Sequence, residues 1–205
     1  MTGPVVLLAT RSEGKLRELR PLFEAAGIAV QDLREAGVPV SPDEDVVEAF
    51  PTFEANALAK ARYFQALTGR PTVADDSGLE VAALGGAPGV HSRRWSGRTD
   101  LQGQALDDAN NAKLLEALRM VDAPAARYVC AAAFCDGVRE AVERGETAGT
   151  LVGDARGGAG FGYDPYFLSV ELGATFGESS REAKEQVSHR GRAFRALLER
   201  LSEQR

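Results

Sequence analysis

Two adjacent carboxylates, Asp75 and Asp76, stand at the end of a short apolar run and could bind a divalent cation. The run covers residues 71–74, and Ser77 follows the two acids. An apolar run bounded by turn residues predicts a buried strand that ends at the acids. Burial of unpaired charge is unfavourable, so both carboxylates need a cation or hydrogen-bond donors. A metal ion would supply the charge; the alternative is a solvated turn in which Asp and Ser cap backbone groups.

A second polar group follows the first predicted strand, residues 5–9. Thr10, Ser12 and Lys15 lie in a loop that precedes a helical pattern of apolar residues. Such a loop can bind an anion, because the free N–H groups and the dipole of the following helix favour negative charge. The glycine spacing is not that of a Walker A motif, so a plain strand–helix connection is the alternative.

Two further polar residues share one face of a predicted helix. Residues 52–68 predict this helix, with Thr52 as its N-cap, and Asn56 and Lys60 are four residues apart within it. That pair has a chemical role only if its face points toward the carboxylates. Glu48 precedes the helix in an acidic, proline-rich segment, where a glutamate is solvated by default.

The glycine–aromatic loop, residues 157–165, carries Phe161, Gly162, Tyr163 and Asp164 among four glycines. Glycine lets a backbone approach a ligand closely. Two exposed aromatic rings on such a loop could stack on a planar base. The alternative is a hairpin loop whose aromatic residues fold back onto the core.

Basic residues occupy an unusual position near the end of the chain. A short predicted helix, residues 182–187, carries Lys184, and Ser188 can N-cap the last helix. His189 and Arg190 then lie in the first turn, where a positive charge opposes the helix dipole. A local rule broken at a helix start indicates a functional role.

The composition is that of a globular protein with one folded unit. Of the 205 residues, 44% are hydrophobic and 26% charged, with no repeat or clear linker. The formal net charge is −6 and the pI about 5.1, which argues against a nucleic-acid binder with a broad basic face. A small polyanion held by local cations and a metal is compatible with this charge.

Cysteine usage and the N-terminal sequence indicate a cytoplasmic protein. Cys130 and Cys135 lie in a strand-like run at positions that face opposite sides, so we expect reduced, buried thiols. No basic leader precedes the apolar run at residues 5–9, which is too short to span a bilayer. We therefore expect no membrane partner.

Taken together, the motifs resemble the inosine triphosphate pyrophosphatase (Ham1-like) family of dITP/XTP pyrophosphatases, and the match runs nearly from end to end. The motifs are ATRSEGK, TFEANALAKAR, ADDSGLEVAALGGAPGVHSRRWSG, NNAKLLEAL, GFGYDPYF and the late Lys184 followed by SHR. The resemblance implies an α/β fold: a long, bent, mixed β-sheet flanked by helices, in two lobes with the active-site cleft between them. It implies a single domain over residues 1–205 and a homodimer. The implied reaction is Mg²⁺-dependent hydrolysis of ITP, dITP and XTP to the monophosphate and pyrophosphate.

The resemblance places Glu48 and Asp76 at the metal positions, with Asp75 as a second ligand or an orienting neighbour. Oxygen ligands suit Mg²⁺, which also bridges substrate phosphates. Asp76 matches the general base that takes a proton from the attacking water. One carboxylate cannot easily bind the metal directly and accept that proton in the same geometry. We therefore expect either that Asp76 acts through a metal-associated water or that the metal activates the water itself.

The substrate-binding positions of the family also fall on matching residues. For the phosphates they are Thr10, Ser12, Lys15, Asn56, Lys60, Ser77 and Lys184, and for the base they are Phe161, Gly162, Tyr163, Asp164, His189 and Arg190. Three lysines and Mg²⁺ suit a reaction that depends on positioning and charge neutralisation. Phe161 would stack on the purine, while His189 and Arg190 would donate to the 6-oxo oxygen. Adenine would leave those donors unpaired, so the site would reject it.

Two positions depart from the family pattern. Ser12 replaces the usual asparagine and either loses a contact or uses a bridging water. Arg93 replaces a small residue and is either solvated or adds charge at the site.

Two other functions compete with the hydrolysis of purine triphosphates. One rival is a Maf-like pyrophosphatase for modified pyrimidine nucleotides, against which the GFGYDP and SHR motifs argue. The other is a non-catalytic nucleotide sensor, which has no need of the retained Glu48, Asp76 and Lys15.

Overall fold

The computed structural model describes residues 5–47 and 49–203, with only the backbone at residues 45 and 46. Within these ranges, six strands and six α-helices alternate along most of the chain. The strands are β1 (Val6–Leu8), β2 (Val30–Asp32), β3 (Thr72–Val81), β4 (Ala125–Cys135), β5 (Glu140–Leu151) and β6 (Phe167–Ser169). The helices are α1 (Glu13–Ala25), α2 (Asp43–Val47), α3 (Phe53–Thr68), α4 (Gly103–Leu118), α5 (Arg181–Val187) and α6 (His189–Glu203). Two 3₁₀ helices, Ala82–Leu84 and Gly89–Arg94, lie between β3 and α4.

The strands form a mixed sheet in the order β2-β1-β3-β4-β5-β6. Strand β1 pairs in parallel with both β2 and β3, whereas β5 and β6 are antiparallel. A hairpin joins strands β4 and β5. Its turn contains Asp136-Gly137, a residue pair typical of hairpins, and the Asp136 N–H donates to the Arg139 carbonyl at 3.2 Å. The predicted α/β class with a mixed sheet is confirmed.

The chain divides into two compact units. In the described ranges, the first unit comprises the chain up to Asp76, Cys130–Gly145 and the chain from Arg190 onward. The second unit comprises Ser77–Val129 and Glu146–His189. Two pairs of neighbouring site residues, Asp76 with Ser77 and His189 with Arg190, are therefore split between the units.

Each unit has its own apolar core. In the first, the helical spacing of Leu19, Phe23, Phe194 and Leu197 turns one face of α1 and one face of α6 inward, and all four side chains are buried. The rings of Phe23 and Phe194 meet edge to face, with centroids 5.9 Å apart. The buried cluster of the second unit includes Leu79, Val81, Leu114, Tyr128, Phe167 and Phe176.

Strand β3 continues through the two acids, so the predicted turn at Asp75 and Asp76 is wrong. Both residues are buried, and Ser77 follows them within the same strand. Successive side chains of a strand point to opposite faces, so each acid meets different neighbours. The strand can continue because those neighbours supply the polar partners that water would otherwise provide.

The predictions for the third helix and for the two cysteines are confirmed. Helix α3 has Thr52 as its N-cap and ends at Gly69, whose φ of 66° is the left-handed conformation typical of a glycine helix end. Cys130 and Cys135 are free thiols, and both are buried. Among the described residues, no helix combines the length and apolar character required to cross a membrane.

The N-cap of α3 gives a stability prediction. The Thr52 hydroxyl accepts a hydrogen bond from the Ala55 N–H at 3.2 Å. We expect Thr52→Ala to lower the free energy of unfolding by about 1 kcal/mol, because that N–H loses its partner. Urea denaturation measures the change. Thr52→Ser keeps the hydroxyl and serves as the control, so equal losses in both variants would contradict the capping role.

Candidate active site

Asp75 is a buried anion held by two cations in the first unit. Its side chain is 0% exposed, and its Oδ2 lies 3.0 Å from Lys15 Nζ and 3.2 Å from Arg190 Nε. Burial alone would raise the pKa of Asp75, but the charges of Lys15, Arg190 and Lys60 outweigh it, so the pKa lies well below its ordinary value of 3.8. Asp75 is therefore ionised, and all three cations act on it.

Arg190 connects three elements of the first unit through its guanidinium. It is buried in α6 and donates both to Asp75 in β3 and to Glu18 in α1. Burial would lower the pKa of Arg190, but the charges of Glu18 and Asp75 raise it. The two carboxylates favour a supporting role for this arginine. Its predicted contact with the base stays a prediction.

Asp76 faces helix α3 and contacts Asn56. The Asn56 Nδ2 donates to Asp76 Oδ2 at 2.9 Å and to the Phe50 carbonyl at 3.1 Å, while Asn56 Oδ1 accepts from the Phe50 N–H at 2.8 Å. The backbone of Phe50 thus fixes which end of the amide faces the carboxylate. The Asn56 face of α3 does point toward the acids, as its proposed role requires.

The two neighbouring acids therefore have different environments. Asp75 meets Lys15, Arg190 and the buried thiol of Cys130, whose Sγ lies 3.8 Å from Asp75 Oδ2. Burial, followed by the charge of Asp75, raises the pKa of Cys130 well above its ordinary value. Asp76, on the other face of the strand, accepts a hydrogen bond from the Asn56 amide. The two acids are therefore held by different groups.

The oxygen donors present are of the type that Mg²⁺ prefers. Asp75 Oδ1 is a buried acceptor with no hydrogen-bond partner in the described part of the chain, and Asp76 supplies a second carboxylate nearby in sequence. Glu48, the third predicted ligand, lies outside the described residues. Among the residues that are described, no three His, Cys, Asp or Glu side chains are grouped closely enough to hold a metal ion.

The loop between β1 and α1 has the form of an anion site. Ser12 is the N-cap of α1, with its Oγ accepting from the Lys15 N–H at 3.4 Å, and Thr10 Oγ1 accepts from the Ser12 N–H at 3.2 Å. These bonds order the loop where the helix dipole is positive. Ser12 therefore has a local task as a cap, and Lys15 extends from the first turn to Asp75.

Asp164 is the centre of the predicted base-binding residues in the second unit. Its Oδ2 accepts from Lys184 Nζ at 2.6 Å and from the Phe161 N–H at 2.8 Å, and its Oδ1 accepts from the Tyr128 hydroxyl at 3.4 Å. A Cβ on Gly160, whose φ is +80°, would lie 2.0 Å from Asp164 Oδ2, so this close approach requires glycine. The structure groups Lys184 with the loop. The phosphate contact that the family resemblance implies for Lys184 stays a prediction.

The two aromatic residues of the glycine–aromatic loop behave differently. Tyr163 is buried, and its hydroxyl donates to the Ser92 carbonyl at 2.7 Å. Burial, together with the charge of Asp107, raises the pKa of Tyr163. Phe161 stays partly exposed. Tyr163 thus folds back onto the core, whereas Phe161 is the more exposed of the two rings and has Lys184 Nζ 5.2 Å from its centroid.

His189 belongs to the same group. Its ring stacks on Tyr128, with centroids 4.5 Å apart and planes 6° from parallel. Ser77, the remaining predicted contact of the second unit, is partly exposed in β3. Sequence reasoning missed Tyr128 because an aromatic residue in a predicted strand is typical of a core, and it missed Glu18 because a glutamate on an amphipathic helix is typical of a solvated face.

Comparison with known proteins gives consistent matches over nearly the whole chain. A family model described as the Ham1 family matches residues 6–200. A dITP/XTP pyrophosphatase of Frankia alni is 47% identical over 203 residues, covering 97% of each chain. A dITP/XTP pyrophosphatase of Mycobacterium tuberculosis is 47% identical over 197 residues, covering 94% of this chain and 93% of its own. The solved structure of a HAM1 protein from Coxiella burnetii matches with a TM-score of 0.83 and 33% identity, covering 98% of this chain and 99% of that one.

The buried anion at Asp75 gives a prediction about acid stability. A depressed pKa contributes stability that is complete above the unfolded-state value and is lost as the pH falls below about 4. We expect Asp75→Asn to lower the free energy of unfolding at neutral pH by roughly 3–5 kcal/mol, because buried Arg190 and partly buried Lys15 each lose a carboxylate partner. The variant should also lose less stability than the wild type as the pH falls from about 4 toward 2.

Urea denaturation across that pH range measures both effects. Asp100→Asn is a suitable control, since Asp100 forms an exposed pair with Arg98 at 2.6 Å. We expect little change for this control. An Asp75→Asn protein as stable as the wild type at neutral pH would contradict the assignment of Asp75 as a buried, paired anion.

Proposed function

The chain belongs to the Ham1 family, and on that basis we propose that it hydrolyses the non-canonical purine nucleoside triphosphates dITP, XTP and ITP. The products are the monophosphate and pyrophosphate, and the reaction removes these nucleotides from the pool. The observation that carries the proposal is the match, over 97% of the chain, to an enzyme named dITP/XTP pyrophosphatase. The family resemblance predicted from the motifs is confirmed by this match and by the family model.

The first unit is proposed to bind the triphosphate. Lys15, Lys60 and the start of α1 supply positive charge. The Thr10 and Ser12 hydroxyls order the loop between β1 and α1. Phosphoryl transfer depends mainly on such positioning and neutralisation. We assign Asp75 the task of orienting Lys15 at 3.0 Å, because its carboxylate is already paired with cations.

Asp76 is proposed to accept the proton of the attacking water. Water adds to the α-phosphorus, the bond from that phosphorus to the bridging oxygen breaks, and pyrophosphate leaves. The contact of 2.9 Å from Asn56 fixes the rotation of the Asp76 carboxylate, so the proton acceptor is oriented before substrate binds.

Mg²⁺ is the proposed metal, and Glu48 and Asp76 are the residues that would hold it, Asp76 through a metal-associated water so that its carboxylate can still accept a proton. When bound, it supplies neutralisation of the phosphate charge. A homodimer and a cytoplasmic location, both expected from the family resemblance, belong to the same proposal.

The second unit is proposed to recognise the base. Phe161 provides a partly exposed ring for stacking, and Lys184 and His189 provide N–H donors for the 6-oxo oxygen. Lys184 is held by Asp164 at 2.6 Å, which fixes the direction of its ammonium group. An amino group at the 6-position would face donors instead of acceptors, so adenine nucleotides are disfavoured. Ser77 offers its hydroxyl or N–H to the substrate.

Pyrophosphate release from a panel of nucleotides tests the proposed function. The panel contains ITP, XTP, GTP, ATP and dTTP, each with and without Mg²⁺. We expect fast release from ITP and XTP, slow release from ATP and none without the metal. Equal turnover of ATP and ITP would contradict the proposed base recognition. A preference for dTTP would favour the Maf-like alternative, and tight ITP binding without turnover would favour the sensor.

Asp76→Asn tests the proposed role of Asp76 as general base. The substitution keeps the shape of the side chain but removes the proton acceptor. We expect kcat for ITP to fall by roughly 10²–10⁴-fold with ITP binding retained, since that range is typical of general-base catalysis. Single-turnover kinetics and ITP titration measure the two quantities separately, with Asp100→Asn as the charge-matched control. Wild-type kcat in Asp76→Asn would remove this residue from the mechanism.

A further inference from the structure

Helix α4 binds the main chain of the glycine–aromatic loop at a single residue, Gly162. The Gly162 N–H donates to Asp107 Oδ2 at 2.9 Å, and the Asn111 Nδ2 donates to the Gly162 carbonyl at 3.0 Å. Asp107 and Asn111 are four residues apart, so they lie one above the other on the same face of α4. One helix face thus satisfies both backbone polar groups of Gly162, whose φ is +65°.

The neighbouring residue of the NNAKLLEAL motif has a different partner. Asn110 accepts from the Ser96 N–H at 2.7 Å and donates to the Arg93 carbonyl at 2.9 Å. Asn110 therefore holds the segment after the second 3₁₀ helix, whereas Asn111 holds the glycine–aromatic loop. The two asparagines are adjacent, both buried and chemically identical, yet they act on separate segments of the second unit.

The burial of Asn111 indicates that its bond to Gly162 matters. Its side chain is buried, and its Oδ1 has no hydrogen-bond partner among the residues that the structure describes. A buried, unsatisfied amide oxygen is unfavourable, and a leucine at this position would avoid that loss. What the asparagine supplies, and an apolar residue could not, is the N–H group that binds the loop.

We propose that Asp107 and Asn111 are positioning residues that fix the glycine–aromatic loop and thereby set the preference for the base. The proposal rests on the proposed function, since Phe161, which immediately precedes Gly162, is the ring assigned to stack on the purine. The Phe161 N–H is held by Asp164 at 2.8 Å, and the next residue is held by α4. Because the main chain is held on both sides of the Phe161 side chain, this residue loses less conformational freedom when its ring stacks on a base.

The loop has another attachment that does not involve α4. Tyr163 is buried, and its hydroxyl bonds to Ser92. Loss of the Asn111 contact should therefore loosen the backbone around Gly162 without detaching the loop from the unit. This separates the positioning role from a general role in folding.

Asn111→Ala and Asn110→Ala form a matched pair that tests the proposal. Hydrogen–deuterium exchange reports the opening of residues 157–165, and the ratio of kcat/KM for ITP to that for ATP reports base preference. We expect Asn111→Ala to speed exchange in the loop and to lower the ratio by about tenfold, which corresponds to one lost hydrogen bond. Asn110→Ala should speed exchange after the second 3₁₀ helix and leave the ratio unchanged.

Substitutions of Asp107 add a rescue test. Asp107→Ala removes the acceptor for the Gly162 N–H and should behave like Asn111→Ala. Asp107→Asn retains an acceptor oxygen and should keep the wild-type ratio. An equal change of the ratio in Asn110→Ala and Asn111→Ala would indicate general destabilisation and overturn the proposal.

The readouts distinguish failure of this inference from failure of the proposed function. A wild-type protein that prefers ITP, with an unchanged ratio in Asn111→Ala, would overturn the inference and leave the proposed function intact. A wild-type protein that releases no pyrophosphate from any purine triphosphate would overturn the proposed function and the role in base preference. Exchange alone would then decide the positioning role: faster exchange in Asn111→Ala only would support it, and unchanged exchange would overturn it.

Discussion

The ionised carboxylate of Asp75 is the constraint on which the first unit depends. A buried charge of this kind is tolerated only when cations and donors surround it. Lys15 from α1 and Arg190 from α6 approach the same oxygen, at 3.0 and 3.2 Å. Because Glu18 holds the other side of the arginine, α1 and α6 are both tied to β3. The position of the start of α1, where Lys15 lies, therefore depends on the electrostatics of one residue in the core.

The alternation of side chains along β3 explains how two adjacent acids acquire different tasks. Asp75 points toward cations and has a depressed pKa, so it is a fixed negative charge. Asp76 points toward α3 and accepts a hydrogen bond from the amide of Asn56, a neutral donor that orients its carboxylate. A turn at this position would have exposed both acids to water and made them equivalent. Continuation of the strand places the two acids on opposite faces, so each meets its own set of neighbours.

Local patterns predicted the elements, whereas partners distant in sequence decided the site. The caps of α3 and the hairpin after β4 follow from residue types at short range, whereas the α/β class was implied by the family resemblance. The contacts of Arg190 with Asp75 and Glu18 span 115 and 172 positions, so no local pattern contains them. For the same reason no local pattern contains the contact between Lys184 and Asp164, which are 20 positions apart. The motifs indicated the family because several short motifs occur together along nearly the whole chain.

The thiol of Cys130 has a practical consequence. It lies 3.8 Å from Asp75 Oδ2 within the apolar core, and its raised pKa keeps it protonated at neutral pH. The thiolate is the nucleophile that attacks an alkylating reagent, so this cysteine can react only when the surrounding core opens to solvent. The rate of its alkylation under native conditions therefore reports how often the region around Asp75 opens. Cys130 is therefore a built-in probe of fluctuations at the centre of the first unit.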